Sequence, residues 1–189
     1  MQIFTKSDAI KNKGKILSLI RQNKVFIYPT DTIYGIGCNA KSYAVVSRIR
    51  KIKQRAETPF SVIAPSKEWI RKNCIVNSHS EKWLKRLPGP YTLIFMLKNP
   101  SAVAPNVSLG ATIGVRIPEH WFTGIVKKLN APLVTTSANI HGEKFMTSLK
   151  NLSPEIKKRI DFIVYEGEKR GKPSTLMDLT GSSPKKIKR

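Results

Sequence analysis

The chain has few cysteines, little negative charge and no long hydrophobic run. Its two cysteines, Cys38 and Cys74, fit neither a disulfide framework nor a metal-ligand spacing, so we expect free thiols. The three histidines (His79, His120, His141) pair with no cysteine motif, which argues against zinc. No apolar run approaches the roughly 20 residues of a membrane helix, and the N-terminus has no signal-peptide pattern. These absences predict a cytoplasmic protein without a zinc site or a membrane partner.

Acidic residues are scarce relative to basic ones. The chain has 34 Lys and Arg against 12 Asp and Glu, which gives a formal net charge of +22 and a pI near 10.3. Such an excess attracts polyanions and phosphorylated ligands. The lysines are, however, spread over most of the predicted helices, as expected of a lysine-rich composition without function. Net charge alone therefore does not decide whether the protein binds nucleic acid.

Length and pattern predict one domain. At 189 residues with 40% hydrophobic content, the chain is long enough for one core, which we place at about 7–182 within a single domain 1–189, with a basic tail at 184–189. Periodicity predicts helices over 7–23 (Ser7 as N-cap), 42–53, 67–72, 80–87, 121–129 and 149–159. It predicts strands over 25–28, 36–39, 60–64, 91–97, 111–117, 132–136, 162–165 and 174–179. Some of these strands are consecutive, so we expect an α+β fold of the mixed α/β type, with helices flanking a mixed sheet.

The segment YPTDTIYGIG follows the first apolar strand. Pro29 cannot continue a central ladder, because it has no backbone N–H. Hydroxyl and carboxylate side chains come next, and then Gly35 and Gly37, which allow a ligand to approach the backbone closely. Strand ends of this composition are typical binding sites in α/β proteins. An ordinary strand and turn without a ligand remains the alternative from this pattern alone.

Three further groups of residues carry candidate chemistry. Lys53 and Arg55 lie two residues apart at a predicted helix end. They can bind one anion together, or they can simply form a basic helix end that faces solvent. The strand ending in TTSAN presents hydroxyl and amide groups that suit phosphate or a purine edge, or a capped turn. Arg116 ends the strand TIGVR, and an arginine in an apolar strand usually has an anionic partner. The standard nucleotide-binding signatures, the P-loop and the dinucleotide fingerprint, are missing. We expect no organic redox cofactor.

In order along the chain, the motifs YPTDTIYGIG, KxR, GVRIP, TTSANxxG and PSTLMDLT resemble the threonylcarbamoyl-AMP synthase family of the YrdC/TsaC type. The resemblance runs from about Ile10 to the C-terminus and matches the short, single-domain form. It implies a twisted, mostly antiparallel or mixed sheet with a basic concave surface. It also implies a nucleotidyltransferase that joins L-threonine, bicarbonate and ATP, with Mg²⁺, into threonylcarbamoyl-AMP and pyrophosphate. Other proteins of the t6A pathway then transfer the group to adenosine 37 of tRNA, and tRNA itself is a further candidate partner.

The resemblance also implies roles for individual residues. Lys53 and Arg55 match KxR and are the expected catalytic residues. The expected ATP-binding residues are Lys53, Arg55, Thr112, Ser137, Asn139 and Arg189. The expected threonine-binding residues are Thr32, Arg116, Thr135 and Ser174. The family pattern supplies no protein-held metal site.

Two other functions compete with this interpretation. A basic fold of this kind is also expected of a non-catalytic module that binds tRNA or double-stranded RNA through phosphate contacts. The intact KxR and SxN motifs favour catalysis, since general RNA affinity does not need them. A carbamoyl-transfer module of the kind found in hydrogenase-maturation proteins is the other alternative, but the acylphosphatase and zinc-finger parts that accompany it are missing from this sequence.

Overall fold

The computed structural model of the chain describes residues 1–55, 58–108 and 110–188. The helices in these ranges are α1 (Lys6–Lys11), α2 (Lys13–Arg21), α3 (Tyr43–Lys53), α4 (Lys67–Asn73), α5 (Ser78–Leu84), α6 (Pro105–Ser108), α7 (Thr123–Leu129) and α8 (Pro154–Arg159). Two single 3₁₀ turns lie at Pro100–Ala102 and Leu149–Asn151. None of the helices in these ranges is long and apolar enough to cross a membrane.

The strands of the described ranges form one mixed sheet. They are β1 (Gln2–Thr5), β2 (Phe26–Tyr28), β3 (Gly35–Gly37), β4 (Ser61–Ile63), β5 (Tyr91–Met96), β6 (Thr112–Arg116), β7 (Leu133–Ser137), β8 (Phe162–Tyr165), β9 (Thr175–Asp178) and β10 (Lys185–Ile187). Their order across the sheet is β1-β8-β2-β3-β7-β4-β6-β5-β9-β10. The sheet contains both parallel pairs, such as β4–β6, and antiparallel pairs, such as β5–β6 and β4–β7. The predicted fold class, a mixed sheet flanked by helices, is confirmed.

The two faces of the sheet bury different clusters. Directly paired residues point to the same face, and successive residues point to opposite faces. On one face, the apolar side chains of the central strands pack under α3, α4, α5, α6 and α8. On the other face, Phe26, Tyr28, Ile63 and Leu133 pack against α1, α2 and α7. That second cluster covers only part of its face, and the part beyond it carries polar residues.

The N-terminal helix differs from the prediction. Thr5, not Ser7, is the N-cap. Its side chain accepts a hydrogen bond from the backbone N–H of Asp8, and the Asp8 carboxylate accepts one from the backbone N–H of Thr5. The helical pattern is also broken at Asn12, whose backbone leaves helical geometry and separates α1 from α2. Periodicity alone did not reveal this break, because the apolar positions continue across it.

Two edge strands and one helix break were also not predicted. β1 pairs with β8, and β10 pairs with β9 inside the segment interpreted as a basic tail. The predicted helix over 149–159 is a 3₁₀ turn followed by α8, with Pro154 in the first turn of α8. Proline fits that position because the first helical N–H groups need no intrahelical partner. Cys38 and Cys74 are buried free thiols, as expected, and burial raises the pKa of both.

Candidate functional site

The polar part of the sheet lies on the same face as the second cluster. Thr135 pairs with Ser61, and Ser61 pairs with Gly114, so these three residues share that face. Thr112 and Arg116 lie two residues on either side of Gly114 in β6 and therefore also belong to it. The regular alternation of the strands thus brings hydroxyl groups and one guanidinium together where α1, α2 and α7 no longer cover the sheet.

An inner cavity of about 40 Å³ lies on this face. It is lined by the YPTDTIYGIG turn, the ends of β6 and β7, and the start of β9. The structure places all four residues expected to bind threonine on its wall: Thr32, Arg116, Thr135 and Ser174. These residues come from four separate stretches of sequence, so only the folded sheet brings them together.

Arg116 is the principal charge of the inner cavity. Its side chain is 7% exposed, and its Nη2 lies 2.5 Å from Oδ1 of Asp31. The guanidinium also donates to Oγ1 of Thr32 at 3.3 and 3.4 Å. Its buried Nε has no hydrogen-bond partner in the described part of the chain. A buried donor without a partner is costly, so this atom indicates an acceptor that a ligand would supply.

The turn that carries Thr32 is held by its own side chains. Oγ1 of Thr30 donates to the carbonyl of Ile33 at 2.7 Å and accepts from the backbone N–H of Thr32 at 3.1 Å. The two threonine hydroxyls are 3.0 Å apart. Local hydrogen bonds from side chains to the backbone compete with the hydrogen bonds of a β-ladder, so the chain does not continue as a strand here. The threonines therefore fix the turn as well as line the cavity.

An outer cavity of about 430 Å³ adjoins the inner one, and this volume lies in the range of small-molecule sites. Three residues expected to bind ATP line it: Arg55, Thr112 and Ser137. Arg55 follows α3, whose C-cap Gln54 is left-handed, and its Nη2 donates to the Pro59 carbonyl at 3.0 Å. The inner and outer cavities share the wall formed by Ser61, Thr135, Thr136 and Ser137.

Lys53 and Asn139 line neither cavity but lie directly behind this wall. The buried Nζ of Lys53 donates to the Ser137 carbonyl at 2.7 Å, to Oδ1 of Asn139 at 2.8 Å and to the Asn139 carbonyl. Ser137 Oγ also donates to Oδ1 of Asn139, at 2.5 Å. Burial, with the nearby charge of Arg55, lowers the pKa of Lys53 to about 7. In this structure Lys53 fixes the backbone that presents Ser137. Arg189, also expected at the nucleotide, lies outside the described residues.

The segment from Glu166 to Ser174 passes close to the turn that carries Thr32 and reaches the inner cavity at Ser174. Glu166 accepts hydrogen bonds from Lys169 at 2.6 Å and from Trp121 at 2.6 Å, and its Oε1 lies 2.9 Å from Nε2 of His120. Burial alone would raise the pKa of Glu166, but these three partners together lower it. A Cβ on Gly171 would collide with the carbonyl oxygen of Thr32, so only glycine permits this approach. The segment then ends at Ser174, whose Oγ is 2.7 Å from that of Thr92.

Sequence reasoning missed several residues that line or support the site. Asp31 stands inside the quoted motif, but its pairing with Arg116 crosses 85 positions and is not visible in the sequence. Ser61 and Thr92 lie within short apolar strands, where a hydroxyl residue has no distinguishing pattern. Glu166 lies in a loop without a recognisable motif. Among the described residues, no three His, Cys, Asp or Glu side chains form a group suited to a metal ion.

Comparison with known proteins identifies the family of this chain. The chain matches the Sua5/YciO/YrdC family model, described as telomere recombination, over residues 18–189. The chain belongs to the Sua5/YciO/YrdC family. It is 34% identical over 177 residues to a putative threonylcarbamoyl-AMP synthase of Methanocaldococcus jannaschii, covering 89% of this chain and 83% of that relative. It is also 34% identical over 172 residues to the threonylcarbamoyl-AMP synthase of Pyrococcus abyssi, covering 87% of this chain and 50% of that protein.

Solved structures of the Sua5/YciO/YrdC family share the fold. Sua5 of P. abyssi, solved in complex with L-threonine, superposes with a TM-score of 0.88 at 29% identity, covering 99% of this chain and 56% of that one. YciO of Escherichia coli superposes with a TM-score of 0.87, covering 100% of this chain and 95% of that one, and at 22% identity it shows the fold alone. This chain thus spans about half the length of the P. abyssi protein. The names of the synthase relatives point to an enzyme of the transferase type.

Proposed function

We propose that this member of the Sua5/YciO/YrdC family is an L-threonylcarbamoyladenylate synthase. It joins L-threonine, bicarbonate and ATP into threonylcarbamoyl-AMP and pyrophosphate, as a nucleotidyltransferase, and the product serves the t6A modification of tRNA. The synthase names of its relatives and the threonine bound to P. abyssi Sua5 support this proposal. Because identity is 34% or lower in these comparisons, the residues of the site must carry the argument for this chain.

The single observation that carries the proposal is Arg116 in the inner cavity. Its guanidinium is buried, balanced by Asp31, and keeps a buried Nε without a partner among the described residues. Arginine is the residue best suited to hold a carboxylate through several parallel N–H bonds. The hydroxyls of Thr32, Thr135 and Ser174 line the same cavity and suit a small polar amino acid. We therefore place the threonine carboxylate at Arg116, with its amino group towards the wall shared with the outer cavity.

The outer cavity suits the nucleotide. Arg55 supplies positive charge, while Thr112 and Ser137 supply hydroxyl groups to ATP, which enters as its Mg²⁺ complex. Lys53 and Asn139, behind the wall, hold the backbone at Ser137 in place. Lys53 thus contributes by positioning in this arrangement, and Arg55 is the cation that faces the phosphates. Catalysis then rests on alignment of the reactants and on stabilisation of charge at phosphate oxygens.

The test is pyrophosphate release by purified protein with Mg·ATP and bicarbonate, with and without L-threonine. We expect release that depends on threonine and is much weaker with serine. Mass spectrometry of the same mixture should detect threonylcarbamoyl-AMP. The Arg55→Ala variant should lose activity roughly 10- to 1000-fold, as for other lost charge-assisted contacts in active sites, with unchanged thermal unfolding. The exposed Lys51→Ala, in the last turn of α3 just before Arg55, is the matched control.

Failure to release pyrophosphate under any of these conditions would contradict the proposal. Salt-dependent binding of tRNA by such an inactive protein would then favour the non-catalytic RNA-binding module. Release that occurs equally without threonine would instead indicate a nucleotide hydrolase, and it would remove the assignment of the inner cavity to an amino acid.

A further inference from the structure

We propose that the hydroxyl of Ser61 binds the carbamate at the junction of the two cavities and orients it towards ATP. This inference rests on the proposed function, because it names the group that holds the third substrate of the same reaction. Ser61 belongs to none of the sequence motifs. Its position at the start of the short strand β4 gave no sign of a role in catalysis.

The location of Ser61 comes from the sheet register. Ser61 pairs with Thr135 on β7 and with Gly114 on β6, so its side chain points to the polar face. It lines both the inner cavity, with Arg116, and the outer cavity, with Arg55 and Thr112. The atoms that react must lie at this junction, because the threonine nitrogen comes from one cavity and the α-phosphorus from the other.

The surroundings of Ser61 leave its hydroxyl available. A Cβ on Gly114 would lie 2.6 Å from Oγ of Ser61, so the missing side chain at position 114 makes the space for this hydroxyl. The structure records no hydrogen bond from Ser61 Oγ to any described residue. By contrast, the nearby hydroxyls of Thr30, Ser137 and Ser174 each have a recorded partner. A hydroxyl without a protein partner in a cleft is free to donate to a substrate oxygen.

The chemistry at this point requires such a donor. The neutral threonine amine attacks the carbon of bicarbonate, a nitrogen–carbon bond forms, and water leaves with a proton of the amine. One carbamate oxygen then attacks the α-phosphorus, and the bond from phosphorus to the bridging oxygen breaks as pyrophosphate takes the electron pair. We place Ser61 as the donor to the other carbamate oxygen, which fixes the orientation of the attacking one.

Two variants test this role from opposite sides. Ser61→Ala removes the hydroxyl, and Gly114→Ala adds a methyl group at 2.6 Å from it, which forces it out of place. Each variant should have a higher KM for bicarbonate and a lower kcat. In each, kcat/KM for bicarbonate should fall by about tenfold to a hundredfold, as is typical of a lost hydrogen bond to the reacting group. Threonine binding without ATP, measured by calorimetry, should stay close to wild type for Ser61→Ala. The exposed Ser183→Ala is the matched control and should behave as wild type.

The outcomes separate this inference from the proposed function. A wild-type protein without threonine-dependent pyrophosphate release would remove the proposed function, and the carbamate role with it. An active wild type whose Ser61→Ala variant keeps its kcat and its KM for bicarbonate would overturn the Ser61 role alone. A Ser61→Ala variant that loses threonine affinity as strongly as kcat/KM would also overturn it, since Ser61 would then be part of the amino-acid pocket.

Discussion

In our proposal the guanidinium of Arg116 binds two carboxylates, that of Asp31 and that of the substrate threonine. Asp31 takes Nη2, and the threonine carboxylate would take the remaining N–H groups, including the buried Nε. Lysine cannot serve both, because its ammonium is a single point of charge on a flexible stem. Replacing Arg116 by lysine therefore preserves the charge but should remove the second set of contacts.

We expect Arg116→Lys to weaken threonine binding by about tenfold to a hundredfold, as follows from about 1.5–3 kcal/mol for a charged hydrogen bond. Titration calorimetry with threonine, with thermal unfolding as the check on folding, measures this directly. Arg48→Lys is the matched control, since Arg48 pairs with Asp161 at 2.7 Å and lines neither cavity. Wild-type threonine affinity in Arg116→Lys would show that the carboxylate lies elsewhere.

Lys53 gives a prediction about stability and pH. Burial lowers its pKa to about 7 in the folded protein, whereas the unfolded chain keeps a value near 10.5. Between these two values the unfolded state binds more protons, so the free energy of unfolding should rise with pH through this window. Below about pH 7 both states are protonated, and the contribution becomes constant.

Urea unfolding of the wild type and of Lys53→Met at several values from pH 7 to pH 10 tests this dependence. The wild type should gain stability with pH relative to Lys53→Met, although the variant is less stable overall because the carbonyls of Ser137 and Asn139 lose their donor. The exposed Lys51→Met should follow the wild-type curve. Parallel curves for wild type and Lys53→Met would mean that Lys53 keeps an ordinary pKa in the folded protein.

At the scale of elements, the segment from Glu166 to Ser174 lies against the turn that carries Thr32 and reaches the inner cavity at Ser174. Gly171→Ala should push this segment away from Thr32, because the added Cβ meets a backbone carbonyl that cannot rotate aside. We expect the KM for threonine to rise by about tenfold, while the KM for ATP changes little, since the outer cavity does not include this segment. Gly181→Ala, whose Cβ would meet only one atom at 3.9 Å, is the control. An equal rise in both KM values would indicate a general distortion instead.

The elements also show how far sequence reasoning reached. Strands with strong apolar patterns, such as β5 and β6, follow the predicted positions closely. β1 and β10 were missed because short edge strands depend on their pairing partners and not on their own composition: β1 pairs with β8, which is distant in sequence, and β10 pairs with β9 across the loop between Asp178 and Lys185. The same dependence on distant partners limited the prediction of the site. Threonines next to glycines were predicted as site residues from the sequence, whereas Ser61 and Glu166 reach their positions only through strand register and loop contacts.

At the scale of the whole molecule, the net charge of +22 is not explained by the two cavities. Arg55 and Arg116 are the arginines that line them, whereas the chain carries 34 basic residues. Charge of this size binds RNA phosphates without regard to sequence and releases counterions as it does so. We therefore expect weak tRNA binding that is independent of the catalytic site.

Fluorescence anisotropy with labelled tRNA at several salt concentrations tests the role of this charge. We expect affinity to fall by roughly 10³- to 10⁵-fold between 50 and 200 mM salt if six to ten phosphates are contacted. An unrelated double-stranded RNA of equal length should show the same slope, and Arg55→Ala should leave that slope nearly unchanged because one residue in a cleft adds little to it. A marked preference for tRNA over the unrelated RNA at 200 mM salt would contradict this view, because general charge cannot discriminate between them. Such a preference would mean that the positive residues form a surface shaped for tRNA.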